Sequence, residues 1–428
     1  FGPRPEGGIV VGGALRDARL GRPFSDVDWL VGDPAEAAHA LAARVSGSCF
    51  VMDETRRHWR VVTGERTIDL VPRSGSLQAD LACRDFTVNA MALGPDGPVD
   101  PLAGSEHLQA RQLVACRRTA LFDDPLRGLR GVRLAATHGL AWEEDTRRQA
   151  LRAAAALAAG DLVMPAAERM RDELQAIMFA SRPGDALLEA HALGWLRIVL
   201  PDLVDGDGVT QGSLHHLDVM RHQLEALQRL AMGFPDADLA LRLATLLHDV
   251  GKPSTRARGA LGRITFLGHA EVGAEMTERA LRALRFDGDT VRKASALVRW
   301  HMLPLPRDAR STRRFVHRRR AILPDVLSLM LADREAARGR LASEAARRTY
   351  RESVGRVLAA MEQQPPVPPL LDGTEVMALL NLPPGPRVGA ALRFVEEARA
   401  VGDVSTPEEA REALWSFAVQ QGWVDGPS

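Results

Sequence analysis

Short apolar runs separated by turn residues fill roughly the first quarter of the chain. Runs rich in β-branched and aromatic residues and bounded by Gly, Pro, Asp or Ser predict strands. They cover residues 9–11, 27–31, 59–62, 67–71 and 88–93. Residues 34–45 instead repeat their apolar positions at helical spacing. The pattern predicts a mixed α/β domain that ends near residue 114.

Helical spacing dominates after about residue 119, in segments rich in Ala, Leu and Arg. These segments cover residues 125–137, 145–158, 166–179, 216–232 and 237–248. Four prolines within residues 365–369 cannot continue a helix and predict a break before a C-terminal module. A helix in that module is predicted to start at Thr406, with Pro407 in its first turn and Glu409 completing a capping box.

Positive and negative charges balance over the whole chain, so charged surfaces are sought in local clusters. Lys+Arg and Asp+Glu each total 55 of 428 residues, so any basic surface is local. Seven arginines lie between Arg307 and Arg320, opposed only by Asp308. A solvated helix face and a surface that binds the RNA backbone are equally consistent with this cluster.

Cysteine usage and hydropathy bear on the compartment. Cys49, Cys83 and Cys116 are odd in number and lack CxxC spacing, which favours a reducing environment. No apolar run reaches the ~18 residues of a membrane span, and residues 1–8 do not resemble a signal peptide. We therefore expect a cytoplasmic protein that does not contact membranes.

Paired carboxylates provide the first candidate site. Asp26 and Asp28 lie at i and i+2 of a predicted strand, so both can face one divalent cation. The preceding Gly12-Gly13 turn lets the backbone approach a phosphate group closely, and Arg16 can bind phosphate oxygens. Carboxylates of this kind support nucleotidyl transfer. Asp69 is a candidate third carboxylate, and a purely structural role for it is about equally consistent with the sequence.

A second group of charged residues follows at regular spacing. Asp124, Arg127, Arg130 and Arg133 are each three residues apart and predict one ridge along a helix. A carboxylate beside a guanidinium can contact the Watson-Crick edge of a base. An intrahelical ion pair worth roughly a few tenths of a kcal/mol is the alternative.

Histidines and aspartates provide a further candidate site in the helical region. The residues are His222, His248, Asp249, His269, His301 and Asp333. Imidazoles and carboxylates on several helices can together bind divalent metals. Lys252 can stabilise developing negative charge there. Ordinary polar residues in a helical domain that binds RNA are the alternative.

Five segments resemble the class II tRNA nucleotidyltransferases and bacterial poly(A) polymerases of the polymerase-β-like superfamily. They are GGALRD…DVD, CRDFTVNAMA, DPLAG at residues 100–104, DDPLRGLRGVRLAATHGL and ERMRDEL at residues 168–174. The resemblance implies a multidomain α+β protein: a nucleotidyltransferase head with a mixed sheet, then a mostly α-helical neck, body and tail. The expected domains are residues 1–118, 119–182, 183–360 and 370–428.

The resemblance also implies roles for individual residues. Asp26 and Asp28 would bind Mg²⁺, with Asp69 as the third catalytic carboxylate. Asp124 and Arg127 would select the incoming base. The other nucleotide-binding residues would be Gly12, Gly13, Arg16, Arg84, Asp85, Asn89, Arg130 and Arg133.

The order H…HD…H…H…D is similar to that of HD phosphohydrolases, including HD domains fused to some tRNA nucleotidyltransferases. It places such a domain at about residues 205–345. The similarity implies that His222, His248, Asp249 and Asp333 bind one metal, and that His269 and His301 assist a second metal or the substrate phosphate. The metal would be Mn, Ni, Fe or Mg, and the substrate a 3′-terminal phosphate or 2′,3′-cyclic phosphate.

One departure from the family pattern bears on the product. Only residues 70–83 separate Asp69 from Arg84, whereas family members that add the whole CCA end carry a longer segment there. We therefore predict addition of CC from CTP rather than ATP, with a separate enzyme adding A. The alternatives are a full CCA-adding enzyme or poly(A) polymerase, and a phosphohydrolase with an inactive, RNA-binding head. The tRNA acceptor would bind the head, and its elbow would bind the tail. A purely structural helical tail is the alternative.

Overall fold

The computed structural model describes residues 1–64, 66–73, 75–212, 216–258, 264–339, 342–365 and 368–424. The chain forms two compact units. The first comprises residues 1–204 and 280–286, and the second comprises residues 205–279 and 287–428. Part of the predicted proline break, residues 366–367, lies outside the described residues.

A seven-stranded mixed sheet organises the first unit. Its strands are β1 (Ile9–Val11), β2 (Asp26–Val31), β3 (Ser48–Asp53), β4 (His58–Val62), β5 (Thr67–Pro72), β6 (Ala92–Gly94) and β7 (Gly97–Val99). Their order is β3-β4-β5-β2-β1-β6-β7. Strands β2 and β5 are parallel, and the other neighbours are antiparallel. The predicted mixed α/β domain is confirmed.

Two differences from the predicted strands have local causes. Residues 88–93 do not form one strand: a 3₁₀ turn covers Thr87–Asn89, and β6 starts at Ala92. Strand β3 was not predicted, because residues 49–52 are apolar without alternation.

The head sheet is covered differently on its two faces. Helix α2 (Pro34–Val45) packs against β3, β4 and β5 and buries Leu41. On the other face, Val11 and Leu30 pack with Leu81 of α3 (Leu77–Ala82). Asp26, at the start of β2 on that second face, is exposed.

The rest of the first unit is mostly helical. Its helices are α1 (Gly13–Arg19), α4 (Gly104–Gln109), α5 (Ala120–Asp123), α6 (Arg127–His138), α7 (Glu144–Ala159), α8 (Ala167–Met178), α9 (Pro183–Ala192), α10 (Trp195–Val199) and α11 (Pro201–Val204). A small parallel pair is formed by β8 (Gln112–Leu113), which precedes α5, and β9 (Ala141–Trp142), which follows α6. A Cβ built on Gly131 of α6 would lie 2.2 Å from the Trp142 ring, and one on Gly128 would lie 2.3 Å from Trp195 Nε1. Glycine therefore permits the close packing of α6.

Among its described residues, the regular structure of the second unit is helical apart from one short antiparallel pair, β10 (Ala257–Arg258) and β11 (Ile264–Thr265). Its helices are α12 (Val219–Gly233), α13 (Leu239–Leu247), α14 (Lys252–Thr255), α15 (His269–Ala283), α16 (Gly288–Trp300), α17 (Ala309–Arg319), α18 (Asp325–Ala336), α19 (Glu344–Gln363), α20 (Gly373–Leu380), α21 (Pro386–Val401) and α22 (Pro407–Gln420). The predicted capping box of Thr406 and Glu409 is present at the start of α22. Among the described residues, no helix combines the length and the apolar character needed to cross a membrane.

The arginine cluster at residues 307–320 contacts neighbouring elements of the second unit. Arg314 and Arg318 of α17 both pair with Glu397 of α21, at 2.7 and 2.6 Å. Arg313 donates to the carbonyl of Val401 at 2.9 Å. Arg310 pairs with Asp403, and the Arg319 guanidinium lies 4.0 Å from the centre of the Trp300 ring. Most of the cluster is thus engaged in contacts with neighbouring elements.

Candidate active sites

Strand β2 presents Asp26 and Asp28 on the same face of the sheet, as predicted. Asp69 of β5 is the register partner of Asp28. Burial and the neighbouring Asp69 carboxylate raise the pKa of Asp28, and a divalent cation would relieve that cost. Asp69 itself accepts two hydrogen bonds from Arg60, at 2.7 and 2.8 Å. Asp26 and Asp28 therefore fit a Mg²⁺ site better than Asp69 does.

Gly12 lies next to this pair in a conformation that requires glycine. Its φ is +81°, and an added Cβ would lie 3.1 Å from Asp28 Oδ2 and 3.2 Å from Arg84 Nη1. A side chain there would be strained and would crowd both charged groups.

A cavity of about 680 Å³ opens beside the carboxylates. Its lining includes most of the predicted nucleotide and metal residues: Gly12, Gly13, Arg16, Asp26, Asp28, Arg84, Asp85, Asn89, Arg127, Arg130 and Arg133. Asp69 and Asp124 do not belong to that lining. The cavity combines a carboxylate pair with several guanidinium groups, and both suit a nucleoside triphosphate with its cation.

Hydrogen bonds fix the cationic side chains before any ligand binds. Arg16 is buried and donates to Asn89 Oδ1 at 2.5 Å and to Asp17 Oδ1 at 2.9 Å. Asn89 in turn donates to Asp85 at 3.1 Å. This network fixes Arg16 with part of its guanidinium facing the cavity.

Glu173 of α8 connects two arginines of α6. It accepts from Arg130 Nε at 2.8 Å and from Arg133 Nε at 2.6 Å. Arg130 also donates to Asp85 at 3.3 Å. Burial alone would lower the pKa of Arg130, but Asp85 and Glu173 outweigh it and raise that pKa.

The predicted ridge from Asp124 is wrong at its first residue. Asp124 has an extended backbone, with φ −142° and ψ 96°, and helix α6 begins only at Arg127. Pro125 is the cause, because a residue before proline is disfavoured in the α region. Asp124 instead accepts from Arg169 Nη2 at 2.6 Å. Arg127 donates to three backbone carbonyls, those of Cys83, Arg84 and Ala120.

Sequence reasoning missed three titratable residues that line the cavity: Asp17, His138 and Glu173. His138 Nε2 lies 2.9 Å from Asp17 Oδ1. Burial alone would raise the pKa of Asp17, but hydrogen bonds from His138 and Arg16 outweigh it and lower that pKa. All three lie inside recognised segments and could have been found there. His138 lies 121 residues from Asp17, and no local pattern predicts their contact.

The second unit brings all six predicted His and Asp residues together. They form two groups, within each of which the possible ligand atoms lie within 4.8 Å of one another. One group is His222, His248 and Asp333; the other is Asp249, His269 and His301. Asp249 Oδ2 lies 3.2 Å from His248 Nε2, and its Oδ1 lies 3.4 Å from His269 Nε2. Asp249 therefore lies between the groups, although sequence reasoning placed it in the first.

Helix ends position this cluster. His248 follows α13, His269 begins α15 and His301 follows α16, while His222 and Asp333 lie within α12 and α18. A Cβ on Gly251 would lie 2.3 Å from the carbonyl oxygen of His269, so glycine allows the two segments to meet.

The electrostatics of the cluster favour ionised carboxylates. Burial opposes ionisation of Asp249 and Asp333. The charges of His248 and Lys252 nevertheless hold the pKa of Asp249 well below its usual range, and hydrogen bonds from His222 and His248 do so for Asp333. Burial also opposes charge on His248, but the two carboxylates raise its pKa. Lys252 Nζ lies 2.6 Å from Asp249 Oδ2 and donates to Gln211 Oε1 at 2.6 Å. Buried imidazoles and carboxylates at these distances fit divalent transition metals.

Family models match both regions. A poly A polymerase head domain matches residues 9–114, and an HD domain matches residues 215–338. The chain is 52% identical to the A-adding tRNA nucleotidyltransferase of Deinococcus radiodurans, over 97% of this chain and 96% of that protein. It is 44% identical to the CC-adding tRNA nucleotidyltransferase of Thermus thermophilus, over 96% and 93%.

Solved structures agree on the fold. A Bacillus stearothermophilus CCA-adding enzyme in complex with CTP matches with a TM-score of 0.64 and 22% identity, over 97% of this chain and 94% of that chain. A Thermotoga maritima CCA-adding enzyme complexed with tRNA matches with a TM-score of 0.59 and 18% identity, over 96% and 91%. The two regions define a nucleotidyltransferase head combined with an HD domain. The chain belongs to the CCA-adding family of tRNA nucleotidyltransferases.

Proposed function

We propose that the protein transfers CMP from CTP to the 3′ end of tRNA at Asp26 and Asp28. The cavity that combines these carboxylates with Arg16, Arg84 and Arg130 carries the proposal. Asp26 and Asp28 would hold Mg²⁺, which would supply charge to lower the pKa of an attacking 3′-hydroxyl and to neutralise departing pyrophosphate.

The chain's own groups bind and orient the nucleotide. Gly12 and Gly13 admit the triphosphate close to the backbone, where Arg16 and Arg84 offer hydrogen-bond donors to its oxygens. Asp124 and Arg127 would contact the base edge, and for this Asp124 must exchange its bond with Arg169 for one to the base. Protein side chains, rather than a nucleic-acid template, would then select the nucleotide.

The short connection between β5 and α3 supports addition of CC. Strand β5 ends at Pro72 and Ser76 already caps α3, so the interval from Asp69 to Arg84 holds little beyond these elements. A second candidate is A addition, since a relative 52% identical is named an A-adding enzyme. Under the first reading a separate A-adding enzyme completes the CCA end, and the tail from residue 370 contacts the tRNA elbow.

Product lengths distinguish these specificities. Transcripts of one tRNA ending in the discriminator base, in C or in CC are incubated with each NTP separately and resolved by electrophoresis. We expect CTP to extend the first transcript by two residues and the second by one, with no AMP added to the CC end. AMP on the CC end, with no CMP on the other transcripts, contradicts CC addition and establishes the second candidate.

We further propose that the HD cluster is a metal-dependent phosphohydrolase for 3′-terminal phosphate or 2′,3′-cyclic phosphate. Removing such a group exposes the 3′-hydroxyl that accepts CMP. The six His and Asp side chains would hold Mn, Ni, Fe or Mg ions, which would supply a water nucleophile of lowered pKa. Lys252 lies beside Asp249 and can stabilise negative charge that develops on phosphate oxygens.

Hydrolysis of 2′,3′-cyclic AMP with Mn²⁺ tests this second proposal. We expect turnover that EDTA abolishes and that the Asp249→Ala substitution removes, because that substitution deletes the carboxylate between the two groups. Retained nucleotide addition by the same variant serves as the control for folding. Absence of metal-dependent turnover by the wild-type protein contradicts the proposal.

A further inference from the structure

An exposed aromatic side chain shares the sheet face of the carboxylates. Phe50 lies on the edge strand β3 and is 45% exposed. It pairs in register with Arg60, Arg60 pairs with Asp69, and Asp69 pairs with Asp28. Side chains at directly opposed positions project from the same face of a sheet. The Phe50 ring therefore lies on the face of Asp28, three strand spacings or about 14 Å away.

A second apolar side chain continues this surface. Val62 of β4 is 37% exposed and pairs with Thr67, which pairs with Asp26. Helix α2 covers the opposite face of the same strands, where the Trp59 ring lies 5.0 Å from that of His39. Phe50 and Val62 are thus two exposed apolar side chains on the face of the carboxylates, separated from Asp28 by the Arg60–Asp69 pair and from Asp26 by Thr67.

The position of the nucleotide cavity fixes the direction from which RNA approaches. The cavity is lined by the β1–α1 turn, the start of β2, the 3₁₀ turn and helices α6 and α8, and by none of the described residues of β3, β4 or β5. In phosphoryl transfer the attacking and leaving oxygens lie roughly in line. The 3′-hydroxyl must therefore reach Asp26 and Asp28 from the side opposite the triphosphate, over β5, β4 and β3.

We propose that Phe50 stacks on an unpaired base of the acceptor RNA, just upstream of the attacking 3′-hydroxyl. The proposal rests on nucleotidyl transfer at Asp26 and Asp28. Stacking on an aromatic ring accepts every base, which suits an RNA end whose last base changes after each addition. Arg56, in the turn after β3, has an 84% exposed side chain and can contact the adjoining backbone phosphate.

A second copy of the chain is a less suitable occupant of this surface. Edge strands with exposed apolar residues can pair with each other. In β3, however, the register shifts between Val51 and Asp53, and such an irregularity interrupts pairing along the edge.

Matched substitutions on β3 test the stacking. Phe50→Ala removes the ring and Phe50→Trp retains an aromatic surface. Val51→Ala is the control, because Val51 is 38% exposed on the opposite face of the same strand. We expect Phe50→Ala to raise the KM for a tRNA transcript by about fivefold to a hundredfold, with the KM for CTP unchanged. Phe50→Trp and Val51→Ala should stay near wild type.

A binding measurement separates this inference from the transfer reaction. A transcript carrying 2-aminopurine at the discriminator position is titrated with the full-length protein without nucleotide. Wild type and Phe50→Trp should quench its fluorescence, and Phe50→Ala should not. The proposal is overturned if Phe50→Ala quenches the fluorescence as wild type does and has the wild-type KM for tRNA. It is also overturned if the wild-type protein is a dimer and Phe50→Ala is a monomer. Quenching without any nucleotide addition would contradict the transfer function and leave the stacking supported.

Discussion

Glu173 determines where two arginines of the nucleotide cavity point. Its buried carboxylate offers one oxygen to Arg130 and the other to Arg133. Charge-assisted bonds of this kind are shorter and stronger than neutral ones. Each guanidinium is therefore held in one orientation, and little side-chain entropy would be lost on binding the proposed nucleotide.

The substitution Glu173→Gln is expected to raise the KM for the nucleotide about tenfold or more, because a charged hydrogen bond contributes roughly 1.5–3 kcal/mol and the amide can accept at only one of the two positions. Steady-state kinetics with the nucleotide varied at saturating tRNA measure the change. Glu144→Gln, at a side chain 74% exposed on α7, is the matched control. A KM within twofold of wild type for Glu173→Gln would contradict the role given to Glu173.

Helices and strands could be predicted from the sequence where the interactions that form them are local in the chain. The apolar run at residues 27–31 predicted β2, because Val27, Trp29 and Val31 are buried on one face of that strand. Strand β3 escaped prediction because Phe50 and its apolar neighbours lie on an exposed edge. The predicted ridge was wrong at Asp124 because Pro125 follows it, and a proline disfavours the helical conformation of the residue before it.

Long-range contacts account for the remainder. The contact between His138 and Asp17 and the bonds of Glu173 join helices distant in sequence, so no spacing rule reveals them. The arginines of α17 are a further example. Their sequence indicated a charged surface, but it could not show that arginines of this surface form ion pairs with α21. The His and Asp cluster was predictable because the resemblance supplied the order of its residues.

In the whole molecule, each compact unit contains one candidate active site. The carboxylates and nucleotide cavity lie in the first unit, and the His and Asp cluster lies in the second. No described residue contributes to both the nucleotide cavity and the His and Asp cluster. Substitutions should therefore remove nucleotide transfer and phosphoester hydrolysis independently.

The most direct test is to compare the initial rates of nucleotide addition by the wild-type protein and by Asp28→Asn. Both proteins receive a tRNA transcript that the wild-type protein extends. The substitution keeps the shape of the side chain and removes the charge that is proposed to hold the cation. Loss of several kcal/mol of transition-state stabilisation should lower the rate at least about a hundredfold, while hydrolysis of 2′,3′-cyclic AMP remains. Asp96→Asn, at an exposed turn of the same unit, should behave as wild type. Asp28→Asn that adds nucleotides at the wild-type rate would contradict the account.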